Sequence, residues 1–245
     1  MSRRVIIATI VRILRQIRRD HMSLALLLGA PTVVMGILSY MLSDIPGSFN
    51  RWGVTILAVF PLMLMFIVTS VATLRERTSG TLERLMTLPV SKLDFSLGYA
   101  ISFSFLAILQ ATFLSYISFT FFGLETQGSI GMVVLVSTLN GLLGTGFGLS
   151  LSSLAKTEFQ AVQFMPITLF PQILLCGLIV PRDLLPTGLK AISNILPLSY
   201  GVDAVKEASM YTTFTDEFIY SVSILSLFTL VLLLIGATTV RRRTP

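Results

Sequence analysis

The stretch that decides the fold runs from Trp52 to Leu74, reads WGVTILAVFPLMLMFIVTSVATL and contains no charged residue. As an α-helix, a run of this length is long enough to cross the roughly 30 Å hydrocarbon core of a bilayer. Apolar and polar residues do not alternate along it, whereas they would in a strand of a membrane β-barrel. The stretch therefore predicts a helix that spans a membrane.

Five further runs of the same kind occur along the chain. The six predicted spans cover about residues 23–42, 52–74, 95–122, 130–154, 160–180 and 218–240. Six spans with short connections account for a chain of 245 residues without a second domain, so we predict one domain, 1–245. The predicted fold class is an all-α membrane protein with six transmembrane helices.

Composition excludes the common soluble classes. Hydrophobic residues make up 53% of the chain and charged residues 12%, about half the charged share of a soluble domain. Such an apolar chain is not disordered. A single cysteine, Cys176, rules out a disulfide framework, and with only one histidine besides it a metal site is not expected.

The positive residues are distributed unevenly over the predicted connections. With six spans both termini lie on one side, and that side carries 14 Lys and Arg residues against 4 on the other. The 4 are Arg51, Arg182, Lys190 and Lys206. Because Lys and Arg concentrate in short cytoplasmic loops, both termini are predicted to be cytoplasmic. The net charge of +6 is thus a topology signal and does not indicate nucleic-acid binding.

The sequence pattern of residues 3–21 predicts an amphipathic helix before the first span. Its isoleucines and leucine fall on one face, and its arginines fall on the opposite face. The apolar residues are Ile6, Ile10, Ile13, Leu14 and Ile17, and the arginines are Arg4, Arg12, Arg15 and Arg19. This pattern is typical of an interfacial helix that contacts membrane lipid. The alternative is a plain basic flank that only sets topology.

The predicted spans contain no Asp, Glu, Lys, Arg or His. Carriers driven by protons or sodium usually place ionisable groups at mid-membrane, so the uncharged interior disfavours an ion-coupled carrier. Gly144 and Gly148 form a small-xxx-small pair in the fourth span, which favours close helix packing. No nucleotide-binding glycine loop followed by Lys and Ser or Thr occurs in the chain.

The predicted cytoplasmic loop 75–94 carries the most informative motif. It contains Glu76-Arg77, Gly80-Thr81-Leu82-Glu83-Arg84-Leu85 and Pro89-Val90. Residues 81–85 can form a short surface helix, because Gly80 and Pro89 would interrupt the chain on either side. Such a helix suits docking into a groove of a partner protein, and the alternative is an ordinary connecting loop.

Segment 181–213 lies outside the predicted spans and yet is amphipathic. Pro197 separates two helical pieces, each too short to cross a bilayer. This pattern is typical of a re-entrant helical hairpin before the last span, and the alternative is a folded external loop.

The loop motif E-R-x-x-G-T-L-E-R-L-x-x-x-P-V resembles the hallmark loop of ABC type 2 exporter permeases, and the resemblance extends over the whole chain. The basic first helix, the span count and the sequence P-L-S-Y-x-x-D-A, which begins at Pro197, are similar to that family. Within the family the chain most resembles permeases of the daunorubicin and antibiotic-resistance type. The resemblance implies an exporter subunit that is itself no enzyme.

The resemblance also implies roles for individual residues and partners. Residues on or beside a coupling helix that contacts an ATPase subunit would be Glu76, Gly80, Thr81, Leu82, Glu83, Arg84 and Leu85. Residues of the re-entrant hairpin would be Pro181, Pro197, Tyr200 and Asp203. The expected partners are two ATPase subunits, which bind ATP and magnesium, and a second copy of this permease or a homologous one. The expected location is the bacterial cytoplasmic membrane.

Two alternatives to a drug or amphiphile exporter stay open at this point. Within the same family, the cargo could be a lipid-linked glycan. In another class, the chain could be a membrane anchor or sensor subunit that moves nothing.

Overall fold

The computed structural model describes residues 3–78 and 92–239, and helices dominate both ranges. The helices are α1 (Arg3–Arg19), α2 (His21–Met41), α3 (Ser48–Thr78), α4 (Lys92–Thr120), α5 (Ile130–Ser152), α6 (Glu158–Leu175), α7 (Thr187–Ser193), α8 (Pro197–Met210) and α9 (Asp216–Thr239). A 3₁₀ turn, Arg182–Leu184, precedes α7. No strand occurs within the described ranges, which confirms the all-α prediction.

Five helices of the described chain are long and apolar enough to cross a membrane, namely α2, α3, α4, α5 and α9. They correspond to five of the six predicted spans. The remaining prediction, 160–180, falls on α6, which has 18 residues and is not among the five. Three glutamines and two prolines lower the apolar character of this helix. The count of six spans therefore stays a prediction.

Side-chain caps mark where three of the helices begin. Asp20 accepts a hydrogen bond from the backbone N of Ser23 at 3.1 Å and thereby starts α2. Thr157 accepts one from the backbone N of Gln160 at 3.2 Å and starts α6. These oxygens satisfy amide groups that have no acceptor within the first helical turn. Ser129 caps α5 in the same way, since it accepts a hydrogen bond from the backbone N of Met132.

Helix α5 lies at the centre of the bundle and packs against α3, α4, α8 and α9. Its glycines permit this. A Cβ atom added to Gly144 would lie 2.2 Å from the carbonyl oxygen of Leu62, and one added to Gly148 would lie 2.7 Å from that of Phe66. Both contacts are with the backbone of α3. The two helices thus touch main chain to main chain over more than a turn.

Helix α1 packs on protein along the face that the sequence analysis assigned to the acyl boundary. Ile13 and Ile17 are buried in a cluster with Tyr99 and Phe103 of α4. Gly98 of α4 lets the two helices approach, since a Cβ there would lie 2.7 Å from the side chain of Thr9. The apolar face of α1 therefore contacts α4, and assigning that whole face to lipid was wrong.

The segment 181–213 folds as two short helices, α7 and α8, that meet at Pro197. Helix α8 is mostly buried among α3, α5 and α9. One backbone amide of its first turn has its hydrogen-bond acceptor on α6, because the backbone N of Leu198 donates to Gln172 Oε1 at 3.3 Å. Gly201 faces Asn140 of α5 so closely that an added Cβ would lie 2.2 Å from Asn140 Oδ1. Insertion of this hairpin into the bilayer stays a prediction.

The contact between α3 and α5 generates a prediction about stability. We expect Gly144→Ala to destabilise the protein by about 1–3 kcal/mol, because the new methyl group must push Leu62 backbone atoms away. Thermal unfolding of the purified protein in detergent measures the effect.

Gly131→Ala is the matched control on the same helix. A Cβ atom there meets only Ser129 Oγ, at the ordinary contact distance of 3.7 Å. Equal melting temperatures for the two variants would contradict the assigned role of Gly144.

Candidate functional site

The carboxyl end of α3 holds three consecutive charged residues, Arg75, Glu76 and Arg77, and each reaches a different part of the protein. Successive side chains of an α-helix point about 100° apart, so three neighbours cover most of the helix circumference. We call this cluster, with its contacts, the α1-end junction. It lies at the end of the bundle that carries α1, and the end that carries α7 and α8 is called the hairpin end.

Glu76 joins α3 to α1 and α4. Nη2 of Arg12 donates to Glu76 Oε2 and to the hydroxyl oxygen of Tyr99, both at 2.9 Å. The Glu76 side chain is 8% exposed and that of Arg12 is 31% exposed. A hydrogen-bonded ion pair that is this well shielded from water is stronger than a surface pair. The Arg12–Glu76 ion pair therefore binds the first helix to the end of α3.

Arg75 joins α3 to the starts of α2 and α6. Its Nε and Nη2 donate to the two carboxylate oxygens of Glu158, at 2.7 and 3.0 Å. Its Nη1 lies 3.7 Å from Oδ2 of Asp20. The hydrogen bond from Arg75 holds the pKa of the Glu158 carboxyl below its usual range. This planar, two-pronged geometry is the one that arginine forms best with a carboxylate.

Arg77 completes the junction on the remaining side. Its guanidinium donates to the backbone oxygen of Ala155, in the connection between α5 and α6. The end of α3 is therefore bonded directly to α1, α6 and the α5–α6 connection, and through Arg12 to α4. The chain continues from here into the segment with the predicted coupling motif.

Among the residues predicted to couple to a partner, the structure describes Glu76. The others, Gly80, Thr81, Leu82, Glu83, Arg84 and Leu85, lie outside the described residues. Helix α3 extends to Thr78 and α4 begins at Lys92, so both ends of the predicted loop 75–94 belong to helices. The junction thus begins four residues before the first residue of the segment 79–91.

The arginines of α1 do not share one environment. Arg4, Arg15 and Arg19 are exposed, as expected for the polar face of an interfacial helix. Arg12 turns inward to Glu76 and Tyr99. The wheel position of Arg12 predicts a place on the polar face, and its contact with Tyr99 was not predicted. The available signal was a tyrosine near the start of the third predicted span, at the same end of the bundle.

A second polar cluster occupies the hairpin end and is built around Arg182. The Arg182 guanidinium pairs with Asp203 and donates to Asn194 Oδ1 at 2.6 Å, and its Cζ lies 5.4 Å from the ring centre of Tyr200. The Tyr200 hydroxyl donates to the backbone oxygen of Asn194 at 2.7 Å. Burial raises the pKa of the Asp203 carboxyl above its usual value, although Arg182 opposes the shift.

All four predicted hairpin residues have clear positions in or beside this cluster. Pro181 precedes the 3₁₀ turn that carries Arg182, Pro197 is the first residue of α8, and Tyr200 and Asp203 lie one turn apart on α8. Arg182 and Asn194 were not predicted. Arg182 directly follows Pro181 in the sequence, but its partner Asp203 is 21 residues away. Only the packing of α8 against the turn brings them together.

Comparison with known families decides the class of protein. The sequence model of the family described as "ABC-2 type transporter" matches residues 4–210. The chain belongs to the ABC-2 type transporter family. The match runs from α1 to the end of α8 and so includes both polar clusters. The resemblance stated from the loop motif is thereby confirmed.

Individual relatives are permeases. The chain is 30% identical over 164 residues to the "Probable multidrug ABC transporter permease YbhR" of Escherichia coli K12, a match that covers 66% of this chain and 45% of the relative. It is 27% identical over 173 residues to YbhS of the same organism, covering 70% and 45%. The "Linearmycin resistance permease protein LnrN" of Bacillus subtilis is 26% identical over 145 residues, covering 59% and 37%.

The chain matches less than half the length of these curated relatives. Family membership and five long apolar helices nevertheless make this ABC-2 chain a multi-pass membrane protein of the permease type. Members of the family are transmembrane subunits without a nucleotide site of their own, and they generally work with an ATPase subunit.

The Glu76–Arg12 pair generates a prediction about stability. We expect Arg12→Ala to destabilise the protein by about 2 kcal/mol, because it removes a hydrogen-bonded ion partner from a shielded carboxylate. Unfolding in detergent, followed by circular dichroism, measures the loss. Arg15→Ala, at an exposed position on α1, removes the same charge and should have little effect. Equal losses for both variants would contradict the pairing.

The Arg75–Glu158 pair generates a prediction about pH. A carboxyl group with a lowered pKa stabilises the folded state above its ordinary titration range, and this contribution is lost as the pH falls through the lowered value. Both side chains are about half exposed, so the gain is below about 1 kcal/mol.

The measurement compares melting temperatures of the native protein and Glu158→Gln across acidic and neutral pH. We expect a small difference near neutral pH that disappears in acid. Asp44→Asn, at an exposed loop position, should show no such convergence. A difference that stays constant down to low pH would show that Arg75 does not pair with the ionised Glu158 carboxylate.

Proposed function

We propose that this chain is the membrane subunit of an ATP-driven exporter that moves a hydrophobic or amphiphilic compound out of a bacterial cell. The observation that carries the proposal is the α1-end junction, in which Arg75, Glu76 and Arg77 bind the end of α3 to α1, α6 and the α5–α6 connection. The relatives named as multidrug and linearmycin-resistance permeases favour a drug-like cargo.

The junction supports a mechanism for coupling. A partner ATPase that contacts residues 80–85 would push on the chain a few residues beyond Glu76. Because α3 touches α5 through backbone atoms at Gly144 and Gly148, a displaced α3 must carry α5 with it or separate from it. The partner can shift this equilibrium only if its ATP-bound and ATP-free states contact the loop differently.

The rest of the assembly follows as part of the same proposal. Two copies of the permease, or one copy with a homologous permease, pair with two ATPase subunits that bind ATP and magnesium. Both chain termini face the cytoplasm, since 14 of the 18 Lys and Arg residues fall on their side of the six-span topology. The hairpin end then faces outward, where the cargo leaves.

The test uses the full chain and its candidate ATPase. We expect the purified permease alone to show no ATP hydrolysis, and the co-purified complex to hydrolyse ATP faster in the presence of a hydrophobic dye that it exports. Glu83→Ala should reduce co-purification or dye-stimulated hydrolysis severalfold. Asp44→Ala, which removes an exposed carboxylate from the α2–α3 loop, serves as the matched control.

Two outcomes would overturn the proposal. Efflux from cells that lack any partner ATPase would show that another energy source drives transport. A complex that forms but moves no compound would favour the anchor or sensor alternative. ATP-dependent export of a lipid-linked glycan, without export of dyes, would retain the coupling mechanism and correct the cargo.

A further inference from the structure

The hairpin end contains a cavity of about 620 Å³ that the coupling mechanism does not use. It lies between the start of α3, the α4–α5 connection, the turn after α6 and the end of α8. Its volume falls within the usual range of sites for small ligands. From Glu76 to Arg51, 25 residues of one helix place this cavity about 37 Å from the α1-end junction.

Hydrogen bonds between separate elements hold the walls of the cavity in place. Asn50 Oδ1 accepts from the backbone N of Glu125 at 3.0 Å and so joins α3 to the α4–α5 connection. Nζ of Lys206 donates to the backbone oxygen of Gly177 at 2.7 Å and joins α8 to the turn after α6. Gly177 has a φ of +82°, which permits this tight turn. Hydrogen bonds therefore fix the helix ends and connections that form the walls of the cavity.

The charged groups of the wall have unused binding capacity. Among the described residues, no hydrogen bond or ion pair occupies the guanidinium of Arg51 or the carboxylate of Glu125. The ammonium of Lys206 makes one hydrogen bond and retains two further donors. The hydroxyl of Thr126 is buried and has no partner within the described chain. Two cations and one anion on the same wall suit a ligand that carries both signs of charge.

Apolar side chains form another part of the lining, beside the polar residues Thr55, Gln127 and Ser209. Trp52 is 41% exposed at the rim, and Val54, Leu178 and Met210 line the cavity beside it. The cavity lies where long apolar helices end, which is the depth of lipid head groups in a bilayer. Tryptophan is enriched at this depth because its ring is amphipathic. A ligand that fits charged groups beside such a surface is an amphiphile.

We propose that this cavity binds the head group of an amphiphile that contains a phosphate and an ammonium group, as in phosphatidylethanolamine. Arg51 and Lys206 bind the phosphate, since guanidinium and ammonium donors form charge-assisted hydrogen bonds with its oxygens. Glu125 pairs with the ammonium group, and the ring of Trp52 adds a cation–π contact. The acyl chains extend over the apolar rim into the membrane.

Binding is tested with the purified full-length chain and no ATPase partner, so its result is independent of the proposed export function. Native mass spectrometry with short-chain phosphatidylethanolamine gives an apparent Kd. We expect Arg51→Gln to raise that Kd about tenfold or more. Arg18→Gln, which removes an exposed arginine of α1, should leave it unchanged.

Glu125→Gln tests the second half of the site. It should weaken binding of phosphatidylethanolamine and leave binding of phosphatidylglycerol, which has no ammonium group, unchanged or stronger. Asp44→Asn is its matched control. Equal Kd values for Arg51→Gln and Arg18→Gln, or equally tight binding of uncharged diacylglycerol, would overturn the proposal.

The same head group could belong to a resident membrane lipid or to a transported cargo. Vesicles that contain fluorescent phosphatidylethanolamine and the assembled complex distinguish the two sources. Movement of the lipid between leaflets that requires ATP identifies cargo, and binding without movement identifies a resident lipid. Either result supports the site, provided that Arg51→Gln reduces the binding and Arg18→Gln does not.

Discussion

The approach of α5 to α3 is the contact on which the rest of the structure depends. At Gly144 and Gly148 the α5 backbone lies against the carbonyl oxygens of Leu62 and Phe66, with no room for a side chain between them. Lipid supplies little hydrophobic drive for helix association, so close van der Waals packing of this kind carries much of the stability. Helices α4, α8 and α9 then assemble around the same central helix.

Helix α3 connects the two polar ends of the protein as a single element. Its 31 residues rise about 46 Å, from the cavity at the hairpin end to the junction with α1. The junction binds the end of α3 by charge, whereas the middle of the helix is held by packing. The helix is continuous over this length, with Pro61 near its middle. In the proposed mechanism, α3 would link a partner at the α1-end junction to the hairpin end, and the predicted spans contain no Asp, Glu, Lys, Arg or His.

Much of the fold follows from local sequence signals. Long uncharged runs predicted five helices that the structure contains, and the isoleucine and arginine pattern predicted α1. The prediction was less complete where tertiary contacts decide which residues pair and which helix faces are buried. Arg12 lies on the arginine face of α1, and its wheel position does not reveal a carboxylate 64 residues away. Ile13 and Ile17 face protein because Gly98, which has no side chain, lets α1 pack closely against α4. Arg182 meets Asp203 only after α8 packs into the bundle.

The sequence by itself determined that the chain is a helical membrane protein of the ABC-2 type, because span length, charge distribution and the loop motif are local properties. Only the tertiary structure decided which charges pair and which charged groups share the wall of one cavity. Arg75, Glu76 and Arg77 are neighbours in the chain, yet their hydrogen-bond partners lie on α6, on α1 and in the α5–α6 connection. Arg51 and Lys206 line one cavity although 155 positions separate them. Pairing between distant residues depends on the geometry of packed helices, which no local pattern encodes.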